Sequence, residues 1–390
     1  MTRMRSAALI VAGVLGLLAC VESALAQQTP EELYNNLPLE LTGAKATSLG
    51  GAAVGSAGDN STAWWNPAGN AELKDFTVVG VNATAMTGSI QELRNTFNLV
   101  TATDFADLGQ ADLDRLLAAG TTRIRAGAVP AVFVNTGHLG GGHKNGLGLF
   151  MVGAAYADVP VVATDTTVGG QRIATLDVQG GALAMVEYGA SYSRRVGTVD
   201  LGLAVKAIEG LYYGVGGSIT LTDNDLSDGF DVTDPADTTV TDVQVPTLPY
   251  GRGITWGVDV GMLRHTSEST QLGLVIRNIN FPTLPLADAN GVVRRTLTLQ
   301  PRVDFGIRKQ LDDHVAVALD LHNVLFANGG GPSLHMGFDV RAFGSGYVRF
   351  GVNKGTPSLG LGFHLSNLYI DSAVGMGDRT YATLGAHMSF

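Results

Sequence analysis

Two histidines, His138 and His143, flank the run Leu139-Gly140-Gly141-Gly142. Neutral imidazole is the commonest metal ligand, but a spacing of five residues in a glycine loop presets no ligand geometry. The stretch from Thr222, TDNDLSDGFDVTDPADTTVTD, holds Asp223, Asp225, Asp228, Asp231, Asp234, Asp237 and Asp242 and invites calcium, whose ligands are oxygens. Its best register, Asp223, Asp225 and Ser227, places Asp228 where a calcium loop needs glycine and ends without a bidentate glutamate. A solvated, outward-facing loop is the better reading. No G-x-S-x-G elbow and no H-E-x-x-H helix occurs, and Gly50-Gly51 lacks the strand-to-helix context of a phosphate cradle. The expectation is a chain without a catalytic residue, a metal or a cofactor.

A second set of ionisable residues is regular: Asp259, Arg277, Arg302, Asp304, Arg308, Asp320, His322, Asp339, Arg341 and Arg349. Each lies on the small or polar side of a segment whose other side is apolar. Five arginines stand against four aspartates and one histidine. Such a set is either a group of ion pairs that stiffen a wall from within or the lining of a polar conduit or a pocket that selects a charged headgroup.

The element that would position them is a β-strand, in which successive side chains point to opposite faces. In ITWGVDVGML, Ile254, Trp256, Val258, Val260 and Met262 oppose Thr255, Gly257, Asp259, Gly261 and Leu263. LHMGFDVRAF, RVDFGIR and VAVALDLH repeat the arrangement, and shorter stretches of the same kind recur near 76–87, 122–134, 146–157, 184–196, 199–210, 270–279, 346–352, 358–364 and 367–374. A soluble sandwich also buries one face of each strand, but its solvated face favours Thr, Lys, Glu and Gln. Here the polar face is glycine and alanine interleaved with charges. A closed barrel in lipid turns apolar residues outward and polar ones into the lumen, and leaves no unpaired edge.

Composition points the same way. Charged residues are 15% and apolar ones 45%, with Gly 52 against Pro 13, whereas soluble domains average about 25% charged. A formal net charge of -10 argues against a nucleic-acid partner. Aromatics at 7% imply sparse interfacial girdles. The first residues read as a secretory signal, with Arg3 and Arg5, an apolar stretch from Ala7 to Ala19, and an A-x-A site that places cleavage after Ala26. Leu17-Leu18-Ala19-Cys20 also resembles a lipobox, in which Cys20 would carry lipid; with cleavage after Ala26 this sole cysteine is lost. The final segment, YATLGAHMSF, alternates to a terminal Phe390. The expected fold is an all-β, transmembrane antiparallel barrel of about 14 strands (range 12–16), with residues 1–26 as signal peptide, 27–75 as an N-terminal plug segment and 76–390 as the barrel. ADLDRLLAAG, from Ala111, predicts a short amphipathic helix in or beside a loop.

Residues 27–75 lack a strand pattern, yet are too small and apolar for a solvated tail. They end near Trp64-Trp65-Asn66-Pro67-Ala68-Gly69. Small side chains let a backbone pack in a confined lumen, and Asn66-Pro67 sets a turn. Trp64 and Trp65 would anchor that turn against the wall or mark the membrane interface before the first strand.

Through Gly43-Ala44-Lys45-Ala46, Ser48-Leu49-Gly50-Gly51-Ala52, Asp59-Asn60 and Trp65-Asn66-Pro67-Ala68-Gly69, the chain resembles the start of the FadL/OMPP1 family of outer-membrane transport proteins and the related PorV-type barrels. The resemblance implies a plug folded inside the barrel, entry of a compound through an extracellular pocket, and release after the plug shifts. A terminal Phe on a closing strand resembles the signal read by the barrel-insertion machinery. The expected partners are outer-membrane lipid, that machinery and a small hydrophobic ligand; the expected location is the outer membrane. Two functions are compatible with the residues: uptake of a small hydrophobic or amphipathic compound, or a non-transporting barrel serving structure, secretion or conjugal transfer of the TraF type. The charged inward face departs from the greasy pocket a fatty-acid carrier needs.

Overall fold

In a computed structural model the described residues are 29–56, 59–73, 78–88, 121–137, 144–168, 171–223, 238–243 and 250–390. The expected signal peptide with Cys20, the helix from Ala111, the pair His138 and His143, and most of the aspartate-rich stretch lie outside them.

Seventeen strands form one antiparallel sheet: β1 Val78–Thr87, β2 Thr121–Gly137, β3 Asn145–Val168, β4 Gln171–Val196, β5 Val199–Asp223, β6 Thr238–Val243, β7 Tyr250–Ser267, β8 Thr270–Arg277, β9 Thr283–Ala287, β10 Val293–Thr298, β11 Arg302–Gln310, β12 Val315–His322, β13 Ser333–Phe343, β14 Gly346–Asn353, β15 Thr356–Leu365, β16 Leu368–Gly375 and β17 Thr380–Ser389. Fourteen of them close a ring, because β1 pairs with both β2 and β17. The closing register runs from Val78 opposite Ser389 to Thr87 opposite Thr380. Strand β6 pairs only with the far part of β5. Strands β9 and β10 form a hairpin continuing the β8 and β11 walls beyond a break at 278–282, where Asn278 and Phe281 take positive φ of 56° and 51°. Alternation of side chains along a strand thus becomes an inside and an outside.

The outside is apolar. Along β7 the outward residues read Arg252, Ile254, Trp256, Val258, Val260, Met262 and Arg264, with Ile254 64% and Trp256 60% exposed. Eight residue steps from Ile254 to Met262 span roughly 27 Å along the strand, or about 21 Å of height at a 40° tilt, which suits the apolar band of a barrel in a bilayer. Arginines bound the band at both edges. Outward Leu201, Leu203 and Val205 on β5 and Leu359, Leu361 and Phe363 on β15 continue it. Exposed rows of this kind need hydrocarbon around them.

One end of the ring carries tight turns, such as 197–198, 268–269, 344–345 and 366–367, while the other carries the longer connections. Strands β3, β4 and β5, of 24, 26 and 25 residues, overrun the ring at the long-loop end. Their inner faces depart from the polar lumen that the sequence suggested. Phe150, Val152, Tyr156, Leu183, Met185, Ile208 and Tyr212 are buried and pack with Phe133 of β2, with Leu284, Leu286 and Leu297 of the β9–β10 hairpin, and with Leu33, Leu37 and Leu41 of the N-terminal segment.

That segment lies inside the ring. It consists of the helix Pro30–Asn36, a 3-10 turn Leu39–Leu41, the helices Ala44–Ser48 and Thr62–Trp65, and a 3-10 turn Pro67–Glu72. Thr29 opens the first helix with a capping box, its hydroxyl accepting from Glu32 N while the Glu32 carboxylate accepts from Thr29 N. The wall meets the segment through inward glycines. A methyl carbon built at Gly202 of β5 would stand 2.6 Å from Ala68 Cα, and one at Gly337 of β13 would stand 2.6 Å from Leu49 Cβ. The wall comes this close because its glycines have no side chain to interpose.

Candidate functional site: the tryptophan turn and the lumen charge belt

Asn66 joins the two short helical turns. Before a proline the αR region is disfavoured, and Asn66 is extended at φ -148°, ψ 105°. Its Oδ1 accepts from Ala68 N at 3.1 Å, capping the 3-10 turn, while Nδ2 donates to Val54 O at 2.9 Å and to Met262 O of β7 at 3.2 Å. The amide therefore fixes the turn, ties it to the rest of the segment and ties both to the wall. Pro67 opens the 3-10 turn, and Ala68 and Gly69 follow it, all buried.

Trp64 and Trp65 are 5% and 1% exposed and sit edge to face with ring centroids 5.0 Å apart. They lie in the interior, not at the membrane interface. Trp64 Nε1 donates to Glu187 Oε2 of β4 at 3.0 Å, and Trp65 Nε1 donates to Thr42 O at 2.8 Å. Arg277 of β8 stacks over the Trp64 ring at 4.4 Å and donates from Nη1 to Trp64 O at 2.9 Å and from Nη2 to Trp65 O at 3.0 Å. A planar fork matches two neighbouring carbonyls as a single ammonium would not.

Arg277 belongs to a belt of ions across adjacent strands. Lys206 of β5 lies between Glu187 of β4 at 3.2 Å and Asp259 of β7 at 2.9 Å. Arg277 lies between Asp259 at 3.8 Å and Asp304 of β11 at 3.4 Å, and Arg302 closes on Asp304 at 2.7 Å. Three carboxylates thus face three cations, so the burial cost of each charge is offset by a partner on the neighbouring strand. Asp259 and Asp304 do a second task. Asp259 Oδ1 accepts from Asn278 N at 2.8 Å and Asp304 Oδ1 from Asn323 N at 2.9 Å, each nineteen residues on. Both asparagines have positive φ, 56° and 55°, so two hairpins end on the same carboxylate-held turn.

The remaining inward ions divide. Asp320 of β12 accepts from Val54 N at 2.6 Å and lies 3.4 Å from His322. His322 stacks on His335 of β13 at 4.1 Å. His335 Nδ1 faces Gly50 O at 2.7 Å, so that nitrogen carries the proton and Nε2 accepts from Ser333 Oγ at 2.9 Å. Arg349 of β14 bridges Asp339 at 2.9 Å and Asp371 of β16 at 2.5 Å. Arg308 is inward without a carboxylate within 4.0 Å among the described residues. Arg341 was expected in the lumen and is not there. The strand is bulged between Arg341 and Phe343, and Arg341 is exposed at the rim, donating to Gly344 O at 2.9 Å. Phe390 is 65% exposed just past the end of β17, beside the 366–367 turn at the tight-turn end.

Sequence reasoning passed over Glu187, Lys206, Asp371, Glu40 and Lys354. Glu187 and Lys206 were findable by parity: Glu187 shares its face with Ser191 and Ser193, and Lys206 with Gly202 and Ala204. Glu40 of the 3-10 turn Leu39–Leu41 is nearly buried between Lys354 at 3.1 Å and Arg379 at 3.5 Å. Burial alone would raise its pKa, but Lys354 and then Arg379 outweigh it and hold the carboxyl down to about 2.

This ion pair separates two cavities. A cavity of about 590 Å³ lies between the N-terminal segment and the 323–333 loop, with Tyr34, Leu37, Leu39, Ala327, Pro332 and Leu334 opposite Glu40, Arg302, His322 and Lys354. A second, of about 370 Å³, lies between Leu41, Met86 and Tyr381 and the turns at 353–356 and 377–379. At the tight-turn end, Glu72, Asp200 and His265 converge closely enough to hold a metal ion. Arg195 already supplies a cation to them, bidentate to Asp200 at 2.7 Å from Nε and Nη2 and paired with Glu72.

No family model matches the chain, and no curated protein matches it. Solved structures of similar outline include the toluene transporter TbuX of Ralstonia pickettii, at TM-score 0.49 and 11% identity over 90% of this chain and 99% of that one. The toluene transporter TodX of Pseudomonas putida gives 0.48 and 11% over 88% and 96%. A Pseudomonas aeruginosa FadL homologue gives 0.47 and 13% over 87% and 96%. Identity at this level carries no residue role across.

Proposed function

We propose that this chain is an outer-membrane barrel that takes up a small hydrophobic or amphipathic compound from outside. In this reading residues 1–26 direct export and are removed, 27–75 form the plug and 76–390 the barrel, set in outer-membrane lipid by the insertion machinery with Phe390 as its signal. The long-loop end faces outward, as longer loops do in such barrels. The observation that carries the proposal is the 590 Å³ cavity at that end. It falls within the range of small-molecule sites, is lined by apolar residues together with Glu40, Arg302, His322 and Lys354, and shares Leu37 with the apolar interior of β2 to β5. Trp64 to Gly69 and the charge belt are the floor below it.

The test is uptake of a radiolabelled monoaromatic hydrocarbon and of a medium-chain carboxylate into proteoliposomes. Wild type should admit at least one, and Leu37→Trp, which fills the cavity, should slow it at least tenfold. Equal rates for wild type, Leu37→Trp and protein-free liposomes would defeat uptake.

A specific observation favours a second reading, a non-transporting barrel that serves structure, secretion or conjugal transfer. Neither of the two cavities beside Glu40 is lined by residues 60–70, where the segment is bonded to the wall on several sides. Solute-independent behaviour in the same liposomes supports that reading.

A further inference from the structure

The ions lining the 590 Å³ cavity are already matched. Lys354 holds Glu40 at 3.1 Å, and Arg302, the last cation of the belt, holds Asp304 at 2.7 Å. His322 lies 3.4 Å from Asp320. A charged solute would leave its water shell for a wall without an uncompensated counter-charge, and that desolvation is costly. The lining therefore favours an uncharged compound.

The neutral polar side chains of the lining are engaged as well, with one exception. Asn35 Nδ2 donates to Asn328 O at 2.6 Å, Asn323 Nδ2 to Gly330 O at 2.7 Å, and Ser333 Oγ to His335 Nε2 at 2.9 Å. The exception is Tyr34, on the helix Pro30–Asn36, half-buried with its ring packed against the apolar core. Its hydroxyl has no hydrogen-bond partner among the described residues, yet is not sealed from the cavity that the residue lines. It lies within electrostatic reach of Glu187, Lys206, Arg302 and Arg277, so it stands at the inner end, over the belt.

A phenolic hydroxyl donates and accepts. While the cavity holds water, that hydroxyl is satisfied. A plain hydrocarbon that displaces the water leaves it unpaired, at the desolvation cost of a polar group. A compound with an oxygen of its own restores the bond, while Leu37, Leu39, Pro332 and Leu334 cover its apolar part.

Resting on the uptake reading, we propose that this cavity selects an uncharged, largely apolar compound carrying one hydroxyl or carbonyl oxygen, with Tyr34 as the residue that determines the selection.

The test is equilibrium dialysis of three ring compounds of similar size, toluene, 4-methylphenol and 4-methylbenzoate, against the full chain in detergent at neutral pH. Wild type should bind 4-methylphenol at least tenfold more tightly than 4-methylbenzoate. In Tyr34→Phe the affinity for 4-methylphenol relative to toluene should fall about fivefold, the worth of one net hydrogen bond, while toluene still binds. Tyr188→Phe, which removes a hydroxyl on the outer wall that is bonded to Glu209 at 2.9 Å, should leave all three affinities unchanged. An unchanged ratio of 4-methylphenol to toluene in Tyr34→Phe overturns the proposal. So does 4-methylbenzoate binding as tightly as 4-methylphenol, or no saturable binding of any of the three. Should Tyr34→Phe fail to assemble, the rank of 4-methylphenol over 4-methylbenzoate in wild type decides. Entry of the same compounds into proteoliposomes judges the uptake reading separately. Compounds that bind with this selectivity but are not admitted remove uptake and leave the site, whereas compounds admitted alike by wild type and Tyr34→Phe, with equal affinities, keep uptake and remove the role of Tyr34.

Discussion

Replacing Gly202 by alanine adds one methyl group, yet the structure assigns it a large consequence. The new carbon would lie 2.6 Å from Ala68 Cα and closer still to Ala68 N, where ordinary contact begins at 3.4 Å. Either strand β5 or the turn at 66–69 must therefore withdraw by at least about 0.8 Å, the shortfall at Ala68 Cα, and by more at Ala68 N. Strand β5 is hydrogen-bonded along its length to β4 and β7, whereas the turn is a single layer, so the turn yields. Overpacking of this size costs about 1 to 3 kcal/mol, which is roughly a 5- to 150-fold rise in local opening. Hydrogen exchange reads it directly. Ala68 N, held by Asn66 Oδ1 at 3.1 Å, and Gly69 N, held by Asn66 O at 2.9 Å, should lose protection by that factor while the β4 and β7 amides keep theirs. Gly331→Ala is the control, because nothing lies within 4 Å of its added carbon. Equal protection at Ala68 and Gly69 in the two variants would refute the close approach of wall and plug.

Three further outcomes are expected. Arg277→Met removes the fork from Trp64 O and Trp65 O and strips a partner from Asp259 and Asp304; loss of one partner from a buried ion network costs about 3 to 5 kcal/mol, to be read as a lower urea midpoint at unchanged m, with Arg277→Lys between. Glu40 has a pKa lowered from 4.5 to about 2, so its anchoring contribution is complete above about 4.5 and lost as pH falls from there through 2. Protection at Leu41 N and Thr42 N should fall across that window, and Glu40→Gln should remove the dependence; no difference between the two proteins would count against the Lys354 and Arg379 pairing. Of three tryptophans, only Trp256 faces outward, so brominated lipid should quench part of the fluorescence in wild type and none in Trp256→Phe. Quenching that survives this substitution would mean that Trp64 or Trp65 meets lipid.

How far the fold was legible depended on contrast between the two faces of a strand. ITWGVDVGML and YATLGAHMSF set large apolar residues against glycine and charge, so period two showed through and fixed the outward row correctly. The far parts of β3 to β5 did not show. In AYADVPVVAT, on β3, inward Tyr156 and outward-side alanines and valines differ too little, because one face looks into an apolar lumen and the other toward lipid or its margin. The strand ends near 157 and 210 expected from the pattern are therefore points where contrast fades, while the strands run on to Val168 and Asp223. The tryptophan turn was legible as a motif, but its partner was not. Parity placed Arg277 on the inward face, but it is 213 residues from Trp64, and nothing local in IRNINF says that it meets the tryptophan turn. Arg341 keeps the parity of Asp339 but was misplaced because it sits at the rim beside the 344–345 turn, where the inward side is no longer enclosed.

The glycines and short polar residues of the inner wall answer one requirement. A segment of small side chains inside a barrel exposes its own backbone, and buried N–H and C=O groups must find partners. Glycine lets the wall approach, and the neighbouring wall side chains and carbonyls then complete the bonding. Among the described residues at least eleven hydrogen bonds cross from segment to wall, from Asn82, Thr84, Asn135, Glu187, Ser191, Met262 O, Arg277 twice, Asp320, His335 and Ser358. At about 1 kcal/mol each they amount to roughly 10 kcal/mol, comparable to the stability of a whole domain. Expulsion of the entire segment would have to break all of these bonds together. The stretch around 34–41 is tied mainly to connections at the long-loop end, through Asn35 to Asn328 O at 2.6 Å, Asn36 to Arg379 at 2.7 Å, and Glu40 to Lys354 and Arg379. It also borders both upper cavities. On the proposed uptake function, movement that admits a compound begins there, where the segment borders the cavities, with the tryptophan turn and its charge belt staying fixed beneath it.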